Sequence, residues 1–294
     1  MNIAFCINHF GMIGLGTTVL SLLRNCSQPE KLVLWFLCEG LSNEDKMQIK
    51  KLLLKEDYKG SYRFIDFSPS TVFGSLNSLH GDWTAYGRLL LADFIDEDQV
   101  LYLDSDLVVE LDVLKELVVF DFQGQPLAAV SSGFFKYTLG NRFYTGKVGL
   151  SPDLEYFNSG VLLINLKDWR LRSVKEECFN IAKKFAMNLP SHDQSLLNIY
   201  CAGHFAKLPR SFNCEWPSHR PKPNVSDNMI FHFVGSPKPW DPLGRLIHNG
   251  YQTWMKYTDQ EWLNYFTPVK ISNLKRLWNL RRSYTRCILN KFNI

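Results

Sequence analysis

No stretch of this 294-residue chain runs for about 18 uninterrupted apolar residues, so no segment has the length and purity of a bilayer-spanning helix. The nearest approach, Ile3 to Leu23, is broken by Asn8, His9 and three glycines, and no basic residue precedes it. It reads as a strand, a glycine-rich loop and a helix rather than as a span or a secretory leader. Cysteine is sparse and unpatterned: Cys6, Cys26, Cys38, Cys178, Cys201, Cys214 and Cys287 are odd in number, scattered, and without a CxxC spacing. Without a leader, they point to a reducing compartment, and a cytoplasmic location is expected. Internal repeats and low-complexity tracts are missing, which excludes solenoids and disordered arrays.

Acidic residues are lacking in one place. Residues 270–294 carry seven basic side chains and no carboxylate, so the +4 net charge of the chain hides a body of −3, and nothing in that body suggests a nucleic-acid surface. At 100° per residue Ile271, Leu274, Leu277, Trp278, Tyr284 and Ile288 share one arc, and Lys275, Arg276, Arg282 and Arg286 lie opposite. Such a basic amphipathic helix suits adsorption to an anionic membrane surface. A solvated helix packed on its own domain is the plain alternative. The expected organisation is one domain over residues 1–268 and a tail over 269–294.

Through the body, short apolar runs alternate with helical patterns, the signature of an α/β sheet with crossover helices. Strands are expected at Ile3–Ile7, Leu32–Leu37, Tyr62–Asp66, Val100–Leu103, Leu127–Val130, Gly160–Asn165 and Met229–Phe233, with irregular loop over Pro209–Pro223. Helical spacing is expected through Trp83, Leu90, Leu91, Phe94 and Ile95.

The chemistry concentrates in a few segments. Val100-Leu-Tyr-Leu-Asp-Ser-Asp puts Asp104 and Asp106 at the carboxyl end of a strand, where open α/β folds bind ligands, and two carboxylates there suit Mg²⁺ or Mn²⁺. A solvated strand end would look the same. In His232-Phe-Val-Gly-Ser-Pro-Lys-Pro-Trp, the histidine is placed to complete such a shell, Gly235 to let backbone approach a phosphate, and Lys238 to supply a compact charge. A lone histidine in an apolar strand is otherwise a satisfied core residue. Ser191-His-Asp-Gln leads into an apolar helical run, as a ligand segment or simply as an N-cap with Asp193 and Gln194 in the first turn. Arg88 and Asn158 sit beside apolar segments, where an idle polar group is costly.

Together these segments resemble glycosyltransferase family 8, the retaining enzymes typified by bacterial lipooligosaccharide galactosyltransferases. From Met1 to about Trp240 the order matches: Asn-x-Ile-x-Phe, Tyr-Gly-Arg-Leu, Leu-Tyr-Leu-Asp-Ser-Asp, Phe-Asn-Ser-Gly-Val-Leu-Leu-Ile-Asn-Leu, Asp-Gln-Ser-Leu-Leu-Asn and His-Phe-Val-Gly-Ser-Pro-Lys-Pro-Trp. The resemblance implies a Rossmann-like GT-A fold, a UDP-sugar donor, Mn²⁺ on Asp104, Asp106 and His232, and a saccharide acceptor such as a lipopolysaccharide core. It also implies Asn8 near the uracil, Lys238 and Gly235 near the diphosphate, and Arg88, Asn158, Asp193 and Gln194 around the sugar. His80 lies at the edge of that site, and Ile7, Leu103 and Ser105 count among the nucleotide-binding residues. By the same resemblance Gln194 and Asp193 are expected to carry the catalytic role, Gln194 supporting an oxocarbenium-like state and Asp193 orienting the sugar. The chain departs from the pattern at Asn8, where the family has an acidic residue, and at Ser131-Ser132, where galactosyltransferases have one. Two other functions fit parts of the pattern. A haloacid-dehalogenase phosphatase shares the strand-end Asp-x-Asp but needs a later Gly-Asp-x-x-x-Asp, which is missing. A non-catalytic UDP-sugar or glycan binder would keep the fold without turnover.

Overall fold

The computed structural model describes residues 1–76, 78, 81–185, 188–267 and 271–292, with side chains of the last helix described over 276–290. Its centre is a seven-stranded sheet made of β1 (Asn2–Asn8), β2 (Val33–Glu39), β3 (Ser61–Asp66), β4 (Gln99–Leu103), β6 (Leu127–Phe134), β7 (Glu155–Asn165) and β8 (Ala206–Lys207). The order is β3-β2-β1-β4-β7-β6-β8. The first four strands are parallel, and β7 runs antiparallel between β4 and β6. A second sheet, β5-β10-β9, holds β5 (Leu107–Val109), β9 (Cys214–Glu215) and β10 (Ile230–His232).

The continuous apolar runs follow from burial of both sheet faces. Along β1, Ile3, Phe5 and Ile7 enter one core while Ala4 and Cys6 enter the other; along β4, Leu101 and Leu103 face the first, and Val100 and Tyr102 the second. The expected strands are all present, with β6 and β7 longer than the apolar pattern indicated. Three strands of two or three residues were not expected, and two of them, β9 and β5, frame the site. The stretch Pro209–Pro223, expected as loop, contains a 3₁₀ turn (Arg210–Phe212) and β9. The helical spacing after Trp83 becomes a 3₁₀ turn over Thr84–Leu90 and a short helix, Leu91–Phe94.

The glycine-rich loop expected after β1 is mostly helix. One 3₁₀ turn, His9–Gly11, precedes α1 (Met12–Asn25), and Gly14 and Gly16 lie inside that helix. They are there for close approach, not for flexibility. A Cβ on Gly14 would overlap the Ser105 carbonyl oxygen and stand 2.8 Å from Trp240, and one on Gly16 would meet the Trp262 ring. The tight contact lets α1 edge β5 with hydroxyls. Thr18 Oγ1 donates to the Leu107 carbonyl at 2.9 Å and accepts from its N–H at 3.1 Å, and Ser21 Oγ accepts from Val109 N at 2.9 Å. A strand of three residues, whose other edge pairs with β10, is thereby satisfied on both sides.

The tail is a helix, Ile271–Phe292, and no described helix is long and apolar enough to cross a membrane. Its inner face, Leu277, Leu280, Tyr284 and Cys287, packs on Ile247, and Arg276 forks onto Asp241 at 2.9 and 3.1 Å. The apolar arc drawn from the sequence therefore splits. Trp278 and Ile288 point outward, joined by Leu289, while Leu280 and Cys287 take the packed face. The side chains of Lys270, Ile271, Leu274, Lys275 and Lys291 lie outside the described residues.

Replacing Gly14→Ala should lower the stability of the folded chain by ~1–3 kcal/mol, since α1 must move off the Ser105 backbone. Urea unfolding monitored by circular dichroism measures it; an unchanged midpoint would contradict the close-packed contact.

Candidate active site

Three strand ends meet at one point. β4 ends at Leu103, and the Asp104 N–H donates to the Gly160 carbonyl of β7 at 2.8 Å. Asp106 immediately precedes β5, and its carbonyl accepts from Phe233 N at 3.1 Å. Antiparallel pairing of β10 with β5 sets His232 opposite Leu107, which puts the imidazole beside Asp106. His232 Nε2 lies 3.2 Å from Asp106 Oδ1 and 3.9 Å from Asp104 Oδ2.

Each aspartate has one oxygen committed and one left over. Asp104 Oδ1 accepts from Arg88 NH2 at 3.0 Å and from the Tyr102 hydroxyl at 2.6 Å. Asp106 Oδ2 is paired with Lys238 Nζ at 2.5 Å, and Lys238 also donates to the Phe233 carbonyl. Asp104 Oδ2, Asp106 Oδ1 and His232 Nε2 remain, all within 4.8 Å of one another. Burial opposes ionisation of Asp106, but Lys238 and His232 outweigh it and hold its carboxyl far below the usual range. For His232, burial disfavours the charged ring, yet Asp106 and Asp104 prevail and raise it above its ordinary value. Asp106 Oδ1 is nevertheless buried without a hydrogen bond. An orphaned buried carboxylate oxygen facing a second carboxylate and an imidazole nitrogen is the donor set that a hard or borderline divalent ion such as Mn²⁺ or Mg²⁺ fits.

Beside this centre lies a buried charge chain. Arg88, 3% exposed, reaches Asp193 Oδ2 at 3.0 Å, Asp104 Oδ1 at 3.0 Å and the Ser159 carbonyl at 2.5 Å, and its guanidinium lies 4.3 Å from the Tyr102 ring centre. Gln194 follows at the start of the helix His192–Cys201. Its Oε1 accepts from Ser159 N at 3.0 Å and its Nε2 donates to Tyr156 Oη at 2.6 Å. Ser191 occupies the N-cap position without a side-chain cap hydrogen bond, and Asp193 lies in the first turn. Asn158 stands across from them on β7, and its N–H donates to Ser132 Oγ at 3.2 Å.

The remaining expected residues are spread along the rim. Asn8 ends β1; its Oδ1 accepts from Gly11 N at 3.1 Å and its Nδ2 donates to Asp82 at 2.8 Å and Thr84 at 3.1 Å. Part of the acceptor capacity of the Asn8 side chain is thus used internally, and Asp82 and Glu39 join it there through Thr84. The side chains of Ile7 and Leu103 are buried in the main core, which leaves only their backbone for a ligand. The Ser105 hydroxyl borders Gly11. Gly235 has φ +73°, the left-handed region, with open space where a Cβ would be. His80 lies outside the described residues.

Four contributors were not singled out from the sequence. Tyr102 is an ordinary strand residue by pattern and Glu215 falls in the stretch expected to be loop, yet Tyr102 binds Asp104 and Glu215 accepts from Ser132 at 3.2 Å. Asn213, in the stretch expected to be loop, lies 2.9 Å from His232 Nδ1. Gly160 is required by space: a Cβ would overlap His232 Cε1 and stand 2.8 Å from its Nδ1 and 2.9 Å from Asp104 Oδ2. Gly160→Ala should accordingly weaken Mn²⁺ binding by about tenfold or more, the size of effect seen when ligand support is lost. Electron paramagnetic resonance of free Mn²⁺ reads the change; wild-type affinity would show that the two ligands do not depend on this gap.

The description "Glycosyl transferase family 8" matches residues 2–244. A probable glycosyl transferase, Gly, of Streptococcus gordonii is 28% identical over 72% of the chain, which spans only 29% of that relative's length. The lipopolysaccharide 1,2-glucosyltransferase of Escherichia coli is 27% identical, with 81% of this chain and 73% of that one covered. The crystal structure of galactosyltransferase LgtC in complex with donor and acceptor sugar analogues superposes with a TM-score of 0.73 at 26% identity, covering 94% of this chain and all (100%) of that one. The fold is the GT-A fold, and the chain belongs to glycosyl transferase family 8.

Proposed function

We propose that the chain is a retaining hexosyltransferase that moves glucose or galactose, with N-acetylhexosamine as a further donor class, from a UDP-sugar to a saccharide acceptor. The observation that carries this is the convergence of Asp104 Oδ2, Asp106 Oδ1 and His232 Nε2 beside Lys238. A divalent ion bound there supplies positive charge against a leaving diphosphate. The relatives named as lipopolysaccharide 1,2-glucosyl- and 1,3-galactosyltransferases support a cell-surface glycan acceptor.

The chain's own groups divide the work. Lys238, already on the metal side of the cleft, neutralises developing phosphate charge. Arg88 pairs with both Asp193 and Asp104 at 3.0 Å and so fixes the two carboxylates beside the proposed donor site. Neither Asp193 nor Gln194 is free to attack carbon. Asp193 is locked in its ion pair, and Gln194 has both amide ends bonded and an amide oxygen of low basicity. Retention is therefore best served by substitution on the face that UDP leaves, the phosphate oxygen taking the acceptor proton. Asn158, Ser132 and Glu215 offer the hydrogen bonds that sort sugar hydroxyls.

Outward-facing Trp278, Ile288 and Leu289 on the tail helix, with Arg281, Arg282 and Arg286 exposed beside them, support peripheral attachment to an anionic, cytoplasmic membrane face. Each basic residue near such a surface adds roughly 1 kcal/mol. Because the opposite face is docked through Arg276 and Tyr284, substitution is a cleaner probe than truncation.

The direct test follows UDP release from UDP-glucose, UDP-galactose and UDP-N-acetylhexosamines with Mn²⁺, with and without oligosaccharide acceptors. Metal-dependent release, abolished by chelation and lowered at least ~100-fold by Asp106→Ala, is expected. Binding of a UDP-sugar without transfer or hydrolysis would favour the binder, and robust turnover of an aryl phosphate the phosphatase. Separately, Arg281→Gln, Arg282→Gln and Arg286→Gln combined should reduce sedimentation with phosphatidylglycerol vesicles; unchanged sedimentation would refute the membrane contact.

A further inference from the structure

The proton on His232 can be located from backbone groups whose roles are not in question. The Gly160 N–H donates to Asn158 Oδ1 at 2.8 Å, which fixes the oxygen of that amide. Asn213 approaches the same oxygen at 3.1 Å, so the atom it presents is the Nδ2 donor. Its Oδ1 then faces His232 Nδ1 at 2.9 Å, and that nitrogen must carry a hydrogen. The lone pair of the neutral ring is left on Nε2, the atom that faces Asp106 and Asp104. At the far end of the relay, Asn158 is half-buried and its NH₂ group makes no hydrogen bond among the described residues.

We propose that Asn213 is a positioning residue with two outputs: it holds His232 in the tautomer that ligates a cation through Nε2, and it holds the Asn158 amide with its donor end toward the donor sugar. This rests on the metal-dependent transferase function proposed above. Asn213 is 6% exposed and comes from the segment between the Arg210–Phe212 turn and β9, so its placement is set by the pairing of β9 with β10 at Phe231↔Cys214 and His232↔Glu215. The same pairing that delivers the imidazole thus delivers the group that sets its proton. The relay needs an acceptor toward His232 and a donor toward Asn158, and only an amide supplies both at this size. Histidine ligands owe ring orientation and basicity to the group on their other nitrogen.

Two substitutions separate the outputs. Asn213→Asp retains an acceptor for the imidazole N–H but cannot donate to Asn158. Asn213→Leu removes both bonds at similar volume. Paramagnetic titration of Mn²⁺ into the full chain should show Asn213→Leu weakened about 10- to 100-fold and Asn213→Asp within a few-fold of wild type. For Asn213→Asp, calorimetry should show UDP bound as by wild type in the presence of Mn²⁺, while the KM for the UDP-sugar rises several-fold. Wild-type Mn²⁺ affinity in a folded Asn213→Leu protein, equal losses in both variants, or an unaltered donor KM in Asn213→Asp would overturn the relay. Failure of the wild-type chain to take up Mn²⁺ would overturn the metal site as well, so the two outcomes are distinguishable.

Discussion

Gathering Asp104 and Asp106 at the end of one buried strand is the constraint around which the rest of the cleft is arranged. Two carboxylates one residue apart at the end of a buried strand cannot both ionise without partners. The protein gives each a cation on one oxygen, Arg88 for Asp104 and Lys238 for Asp106, and turns the other oxygens toward His232. Satisfaction is incomplete on the inner side: Asp106 Oδ1 is buried beside the imidazole without a hydrogen bond, a cost that a folded chain tolerates when a ligand meets it.

The architecture around that point consists of close approaches. Gly14 admits α1 against the Ser105 backbone, and Gly160 admits the His232 ring against Asp104; each would clash with even a methyl group. β5 has only three residues, and its register is held by Thr18 and Ser21 on one edge and by β10 on the other. The loop carrying Lys238 is tied through its own N–H to Asp241 at 2.6 Å, and Asp241 in turn receives Arg276 from the tail helix. The tail is thus continuous through Asp241 with the loop that carries Lys238, while Trp278, Ile288 and Leu289 of its described side chains are exposed.

Much of this was legible before any coordinates. The double-sided burial of β1, β4 and β7 produces unbroken apolar runs, which is why those strands could be read, and the carboxylates at a strand end announce the cleft. The lone-histidine ambiguity was resolved by placement: His232 is buried, as a core histidine would be, but its Nε2 faces two carboxylates. What could not be read is equally physical. Strands of two or three residues carry no period, so β5, β8 and β9 left no signal, and with β9 went Asn213. Gly14 and Gly16 looked like loop residues because a glycine required by a neighbour is indistinguishable, in one sequence, from a glycine required by its own φ. The tail's periodicity showed an apolar arc but not which part of it meets Ile247.

The proposed chemistry requires that Asp104, Asp106 and His232 jointly hold one divalent ion against a nucleotide diphosphate. An anomalous-scattering map from crystals of this chain grown with Mn²⁺ and UDP measures it most directly. A single strong peak bonded to one oxygen of each aspartate and to His232 Nε2 is expected, with diphosphate oxygens completing the shell. Manganese bound elsewhere, or His232 turned away from a peak held by the carboxylates alone, would contradict it.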